Sequence, residues 1–233
     1  MNKTLIFTAT YNESKNIAQL IEKIINLNLN VDILIVDDNS PDGTYKIVEK
    51  LKKKFSNVFL ERRRGKLGLN TAHIFGYEFA LKHQYKNLIT MDADLSHDPD
   101  EIPNIIKLLD NNAFVIGSRY MKGGKNDMKK LRLLLSIVGN KFIRIILNSN
   151  GTEFTSSFRG FNLVKLKNFS FSQVDSKGYS FFMETVIRIN RLGFKSFEFP
   201  IHFKNREHGV SKIPKIEILR TLFNVSKLFL KKH

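Results

Sequence analysis

At 233 residues the chain is long enough for one sizeable domain, which at that size buries roughly 70–75% of the surface its unfolded form exposes. It contains no cysteine, which excludes a disulfide scaffold and any thiolate-bound metal and fits a reducing compartment. A net charge of +16 and a pI near 9.9 call for a polyanionic partner: nucleic acid, an anionic membrane surface or a phosphorylated substrate. A lysine-rich genome would produce the same bias.

Met1-Asn2-Lys3-Thr4 runs straight into an apolar strand, without the longer hydrophobic stretch of a signal peptide. No run approaches the ~18–20 apolar residues that cross a bilayer, so the expectation is a soluble or peripheral, cytoplasmic protein. Residues 4–9 read as a first strand, ending in the polar cluster Thr10-Tyr11-Asn12-Glu13. Ile17, Leu20, Ile21, Ile24 and Ile25 then share one helical stripe. Residues 33–36 form a continuous apolar block, as a strand covered on both faces would. The block stops at Asp37-Asp38-Asn39-Ser40-Pro41-Asp42-Gly43, dense in turn formers. Ile47, Val48, Leu51 and Phe55 give a second helix, residues 58–60 a third strand, and about 70–82 a third helix.

Leu88, Ile89 and Met91 then read as a short strand that carries Asp92, Ala93 and Asp94 at its end. Side chains at i and i+2 of a strand share a face, so Asp92 and Asp94 would converge while Ala93 turns inward. Two carboxylates so placed repel unless a cation lies between them, and hard oxygen ligands suit Mg²⁺ or Mn²⁺. Magnesium is usually completed by substrate phosphates, so a nucleotide diphosphate is the expected companion. The alternative is a solvated acidic turn with Asp98 capping the next helix. That helix carries Ile102, Ile105, Ile106 and Leu109, and residues 114–116 form another strand.

This alternation predicts a mostly parallel sheet wrapped on both sides. Ligands of such sheets bind at the carboxyl ends of the strands, where Glu13, Asp38 and Asp94 all fall. Neither GxGxxG nor GxxxxGK[ST] occurs. Residues 128–147 combine an apolar set (among them Leu134, Ile137, Val138, Phe142) with Lys129, Lys130, Arg132, Lys141 and Arg144. The tail from Ile213 repeats the pattern. Basic amphipathic helices of this kind lie in a membrane interface or pack on their own domain. The division expected is a catalytic domain over 1–212 and a membrane-interface helix over 213–233.

Several stretches together carry a family resemblance: ATYNE from Ala9, VDDNSPDGT from Val36, GKLGL from Gly65, MDADLSH from Met91, IGSRY from Ile116, TSSFR from Thr155, GYSF from Gly178 and REHGVSK from Arg206. The chain resembles inverting family-2 glycosyltransferases of the Rossmann-like GT-A fold, and within them the dolichyl-phosphate and bacterial polyprenyl-phosphate mannose synthases. The similarity runs from Thr8 to Lys212. Singly the DD and DxD elements are weak; the ordered set is very specific. The resemblance implies that Tyr11, Glu13 and Asp38, with the backbone at Ala9 and Val36, hold the guanosine of GDP-mannose. Asp92, Ala93 and Asp94 would hold the ribose-diphosphate, with Asp92, Asp94 and Ser96 on the metal. Arg119 and Lys212 would contact diphosphate or sugar, and Arg132, Ser136 and Arg206 the acceptor phosphate. Guanidinium forks suit phosphates independently of any resemblance; the alternative for each arginine is a surface ion-pair residue.

The chain departs from these relatives at Ala9 (usually Pro), Asn70 and Ser157 (usually Gly) and Glu153 (usually Asp). The expectations are that Asn70 tolerates a left-handed backbone and that Ser157 restricts its loop. The membrane spans of some relatives are absent, which implies docking on the bilayer or a membrane partner subunit. The implied reaction is a metal-dependent transfer of mannose to polyprenyl phosphate, with Asp94, Arg119, Arg132, Ser136 and Arg206 at its centre. His97 is expected to make a structural hydrogen bond rather than act as a base. Rival readings are a UDP-glucose to undecaprenyl-phosphate transferase and a nucleic-acid-binding module. The Ser-His after DADL favours the mannose form. Apolar placement of the phenylalanines argues against nucleic acid.

Overall fold

The computed structural model describes residues 3–128, 130–146 and 151–206. Strand β1 (Thr4–Thr10) pairs in parallel with β2 (Val31–Asp37), Thr4 against Val31 through Thr10 against Asp37. Every residue of β2 is buried, as its unbroken apolar run requires of a strand covered on both faces. β3 (Val58–Arg62) flanks β2, and β4 (Asn87–Thr90) lies on the other side of β1. The connecting helices are α1 (Ile17–Asn26), α2 (Thr44–Lys54), α3 (Leu69–Lys82) and α4 (Ile102–Asn111). Alternation along β1 divides the core. Leu5 and Phe7 pack with Ala72, Tyr77 and Ala80 of α3, whereas Ile6 packs on the opposite face with Ile17, Leu20 and Ile21 of α1. α3 approaches β1 closely because Gly76 has no side chain: a Cβ there would lie 2.4 Å from the Phe7 ring.

The second half adds β5 (Phe114–Ser118), β6 (Lys125–Asn126), α5 (Lys130–Ile146), β7 (Arg159–Asn162), α6 (Tyr179–Arg191), β8 (Ser196–Pro200) and β9 (His202–Phe203). The large sheet has the order β3-β2-β1-β4-β7-β5-β8, and β6 pairs with β9 in a two-stranded ribbon. The mostly parallel sheet is present, with one exception. β7 runs antiparallel to both β4 and β5, Arg159 facing Thr90 on one side and Ile116 on the other. The strand order reverses between β1 and β4, which opens a crevice at their carboxyl ends. Because β7 is antiparallel, it starts at that same edge. The loop leading into it (151–158) therefore lies beside the ends of β4 and β5.

Candidate active site

The ends of β1 and β2 are built as one unit. Three successive amides of the first loop donate to side chains of the second: Asn12 to Ser40 Oγ (3.0 Å), Glu13 to Thr44 Oγ1 (2.9 Å) and Ser14 to Asp42 Oδ2 (2.9 Å). Asp37 is fully buried and accepts from Thr10 Oγ1, from Ser40 Oγ and from the Ser40 amide. The DDNSPDGT stretch is thus chiefly a loop-building device, as its density of turn formers implies, while its side-chain bonds to the first loop were not foreseen. Their signal was present in the Asp, Ser and Thr residues that hydrogen-bond nearby backbone in turns. Asp38 is also buried; it forms an ion pair with Arg63 and accepts the Gly68 amide at 3.2 Å. Gly68 has φ 100° and ψ 154°, a conformation that only glycine adopts readily. The Lys66 ammonium lies 4.4 Å from the centre of the Tyr11 ring. Glu13 accepts from Asn16 Nδ2 at 2.7 Å and anchors the start of α1. Ala9 is partly buried, and the Val36 side chain is wholly in the core, so Val36 offers the crevice only backbone. Asn70 lies in the first turn of α3 without a positive φ, so the expected left-handed backbone is not there.

β4 ends at Thr90, so Asp92 and Asp94 belong to a turn rather than to the expected strand. Leu95 takes φ 61° there, an uncommon conformation for leucine, and its side chain is buried. Ala93 is buried as expected. The two carboxylates differ in setting, the Asp92 side chain being 38% exposed and that of Asp94 5%. Asp92 Oδ1 accepts from Ser157 Oγ at 2.6 Å, and the Asp92 amide donates to His97 Nδ1 at 3.1 Å. Asp94 Oδ1 accepts from the amide and hydroxyl of Ser96 (3.1 and 2.5 Å), while Oδ2 faces Arg206 Nε at 2.9 Å. The Ser96 hydroxyl is fully buried and directed at Asp94. His97 is buried, stacks on Phe158 at 4.9 Å and meets the edge of Phe203 at 5.5 Å. Burial holds its pKa below the usual histidine value, against the pull of Asp92 and Asp94. An imidazole that accepts an amide proton at Nδ1 is neutral with its proton on Nε2, and its role is to hold the loop.

The arginines fall into two groups. Arg119 is nearly buried, donates from Nε and Nη2 to Glu153 (2.8 and 3.0 Å), and has Phe203 at 4.7 Å. It is an interior pair rather than a surface one. Burial alone would raise the Glu153 carboxyl, but Arg119 and the Thr155 donors outweigh it, and the group stays below its ordinary range. Glu198 holds that loop in turn, accepting the amides of Thr152 and Glu153 at 2.7 and 3.0 Å. Arg206 is on Asp94, and its neighbour Lys204 pairs with Asp98 and donates its amide to Ser96 O. Ser136 on α5 shares a 2.5 Å hydrogen bond with Tyr120. The backbone of Arg132 lies on the same helix; its side chain, Lys212 and the tail from 213 lie outside the described residues. Sequence reading also missed Arg159, which is buried and donates to the carbonyls of Phe154, Ser156 and Phe182.

Residues 5–169 match the profile described as Glycosyl transferase family 2. The chain belongs to this family. It is 35% identical over 228 residues to a polyprenol monophosphomannose synthase of Mycolicibacterium smegmatis, spanning 97% of this chain and 86% of that one. It is 32% identical to an undecaprenyl-phosphate mannosyltransferase of Micrococcus luteus, spanning 97% and 93%. Among solved structures, the glucosyl-3-phosphoglycerate synthase of Mycobacterium tuberculosis with Mn²⁺, UDP and phosphoglyceric acid superposes with a TM-score of 0.65 at 15% identity, over 99% of this chain and 78% of that one. A mannosyltransferase of Pyrobaculum calidifontis with GDP-Man and Mn²⁺ gives 0.62 at 17% identity, over 99% and 64%. At such identities these two share the GT-A fold.

The glycosyltransferase therefore brings Tyr11, Glu13, Asp38, Asp92, Asp94, Arg119 and Arg206 to one edge of its sheet. The oxygen donors after β4 are two carboxylates and a hydroxyl. No group of three or more His, Cys, Asp or Glu suited to a metal occurs among the described residues. Such a set fits a hard cation that draws its other ligands from water and a diphosphate.

Proposed function

We propose that this glycosyltransferase moves mannose from GDP-mannose to a polyprenyl phosphate such as dolichyl phosphate, with inversion and with Mg²⁺ or Mn²⁺. The names of the two curated relatives support the sugar and the lipid. The observation that carries the chemistry is the Asp92–Asp94 turn, set in the sheet's crevice with Arg206 on Asp94 and Arg119 clamped nearby. Tyr11, Glu13, Asp38 and the backbone of Ala9 and Val36 form the wall for the nucleoside; Asp92, Ala93 and Asp94 face its diphosphate.

The acceptor phosphate, with a second pKa of about 6, is largely ionised at neutral pH. It needs no strong base, in keeping with a His97 whose ring is buried and already committed to the loop. An acceptor oxygen forms a bond to the anomeric carbon while the bond to the GDP oxygen breaks, and GDP leaves from the opposite face. Acceptor and donor phosphates repel, so the site must supply positive charge and positioning. Arg119, Arg206, Arg132 and Lys212 supply it, with Ser136 as a neutral donor. A bound Mg²⁺ or Mn²⁺ would offset the charge gathering on the leaving diphosphate, held by Asp92 and Asp94, with Ser96 in reserve.

The enzyme works at a membrane surface, on the cytoplasmic face where sugar nucleotides are found. No helix among the described residues is long and apolar enough to cross a bilayer. α5 instead turns Leu134, Ile137, Val138, Phe142 and Ile145 outward. These positions follow the helical stripe and suit the headgroup boundary. The tail over 213–233 would add a second basic amphipathic segment to the 1–212 catalytic domain, alone or with a membrane partner subunit.

The test is purified full-length protein with a short polyprenyl phosphate, Mn²⁺ and either GDP-mannose or UDP-glucose. Mannolipid should form from the first donor alone, and Asp94→Ala should lose more than about 100-fold in rate. Glucolipid in place of mannolipid would move the enzyme to the UDP-sugar class. Full activity of Asp94→Ala would remove the metal role.

A further inference from the structure

The carboxylate of Asp92 is the open member of the acidic pair, and something must set its direction before a cation arrives. Its Oδ1 takes the Ser157 hydroxyl at 2.6 Å, while Oδ2 lies 3.9 Å from His97 Nδ1, beyond hydrogen-bond distance. Ser157 is itself held firmly. Its carbonyl accepts from Thr90 Oγ1 at 2.5 Å. The next residue, Phe158, is buried, accepts the Gly117 amide at 2.9 Å and stacks on His97. A side chain anchored to paired strands can aim another within a few tenths of an ångström, which a mobile loop cannot. Ligand carboxylates are commonly oriented by such a hydrogen bond on the oxygen that does not bind.

We propose that Ser157 is a positioning residue for the divalent cation: its hydroxyl occupies Asp92 Oδ1 and presents Oδ2 to the ion. The proposal rests on the reading of Asp92 as a metal ligand, and the experiment separates the two. Free Mn²⁺ is followed by electron paramagnetic resonance as the metal is titrated into full-length protein with saturating GDP, for wild type, Ser157→Ala, Ser157→Thr and Asp92→Ala. Ser157→Ala should bind Mn²⁺ about tenfold more weakly, with an unchanged metal-free melting temperature and a mannosyl-transfer rate restored by excess Mn²⁺. Ser157→Thr, which keeps the hydroxyl, should bind more tightly than Ser157→Ala. Affinity of Ser157→Ala within about twofold of wild type would overturn the proposal. So would a metal-free melting temperature lowered by more than about 4 °C, which marks a structural role. If Asp92→Ala also binds Mn²⁺ like wild type, the metal reading of Asp92 falls as well.

Discussion

Glu153 keeps a negative charge in the protein interior because Arg119 lies along it and the Thr155 and Ser156 amides point at it. Removing one partner of such a pair leaves the other buried and uncompensated. Glu153→Ala should cost about 3–5 kcal/mol in urea unfolding and should loosen Arg119. A cost under about 1 kcal/mol, typical of exposed pairs, would show that water reaches the pair. His73 is a separate case. It is packed among Phe7, Phe181 and Phe182, and burial, helped by Arg159 and Arg63, lowers its pKa from 6.5 to about 3. The folded state keeps it neutral while the unfolded chain takes up a proton below pH 6.5. Its contribution is thus fully present above pH 6.5 and declines as pH falls towards about 3. Between pH 6.5 and 5, His73→Gln should flatten the slope of unfolding free energy by up to about 1.4 kcal/mol per pH unit. An unchanged slope would mean that the ring is protonated inside the fold. Neither feature was legible beforehand, since burial of a lone His or Glu depends on which distant segments enclose it.

At the scale of elements, α1, α2 and α4 were legible from their periodicity, and the stripe Ile17, Leu20, Ile21 and Ile24 is the buried face of α1. β7 was not. Its four residues, Arg-Gly-Phe-Asn, show no alternation, and their place is set by pairing with Asn87–Thr90 and Phe114–Ile116, far away in sequence. That pairing also moved the acidic pair out of a strand and into a turn, because β4 stops where β7 begins. α5 was legible as basic and amphipathic, but only its packing shows that the apolar stripe faces outward. Replacing Ile137 and Val138 together with Gln should leave thermal stability nearly unchanged, because both side chains are exposed. Sedimentation with liposomes should weaken roughly tenfold or more, given the apolar area withdrawn from the membrane. Unaltered sedimentation would place the membrane contact elsewhere.

For the whole molecule, the charge of +16 is a statement about association. Binding to anionic vesicles should fall steeply as ionic strength rises from about 0.01 to about 1 M and the screening length shrinks from about 30 to about 3 Å. Binding insensitive to salt would assign the attachment to apolar contact alone. The sequence by itself determined the alternation of strands and helices, the parallel half of the sheet, and the edge on which Tyr11, Glu13, Asp38, Asp92 and Asp94 gather. Those follow from local periodicity and from turn residues, which act over a few neighbours. Only the tertiary structure decided which partner each functional group has: Ser157 for Asp92, Arg206 for Asp94, Glu153 for Arg119, Arg63 for Asp38. Those pairings join residues that are strangers in sequence. They exist because one antiparallel strand and two neighbouring loops end at the same rim of the sheet, where hydrogen bonds and charge select partners by distance in space.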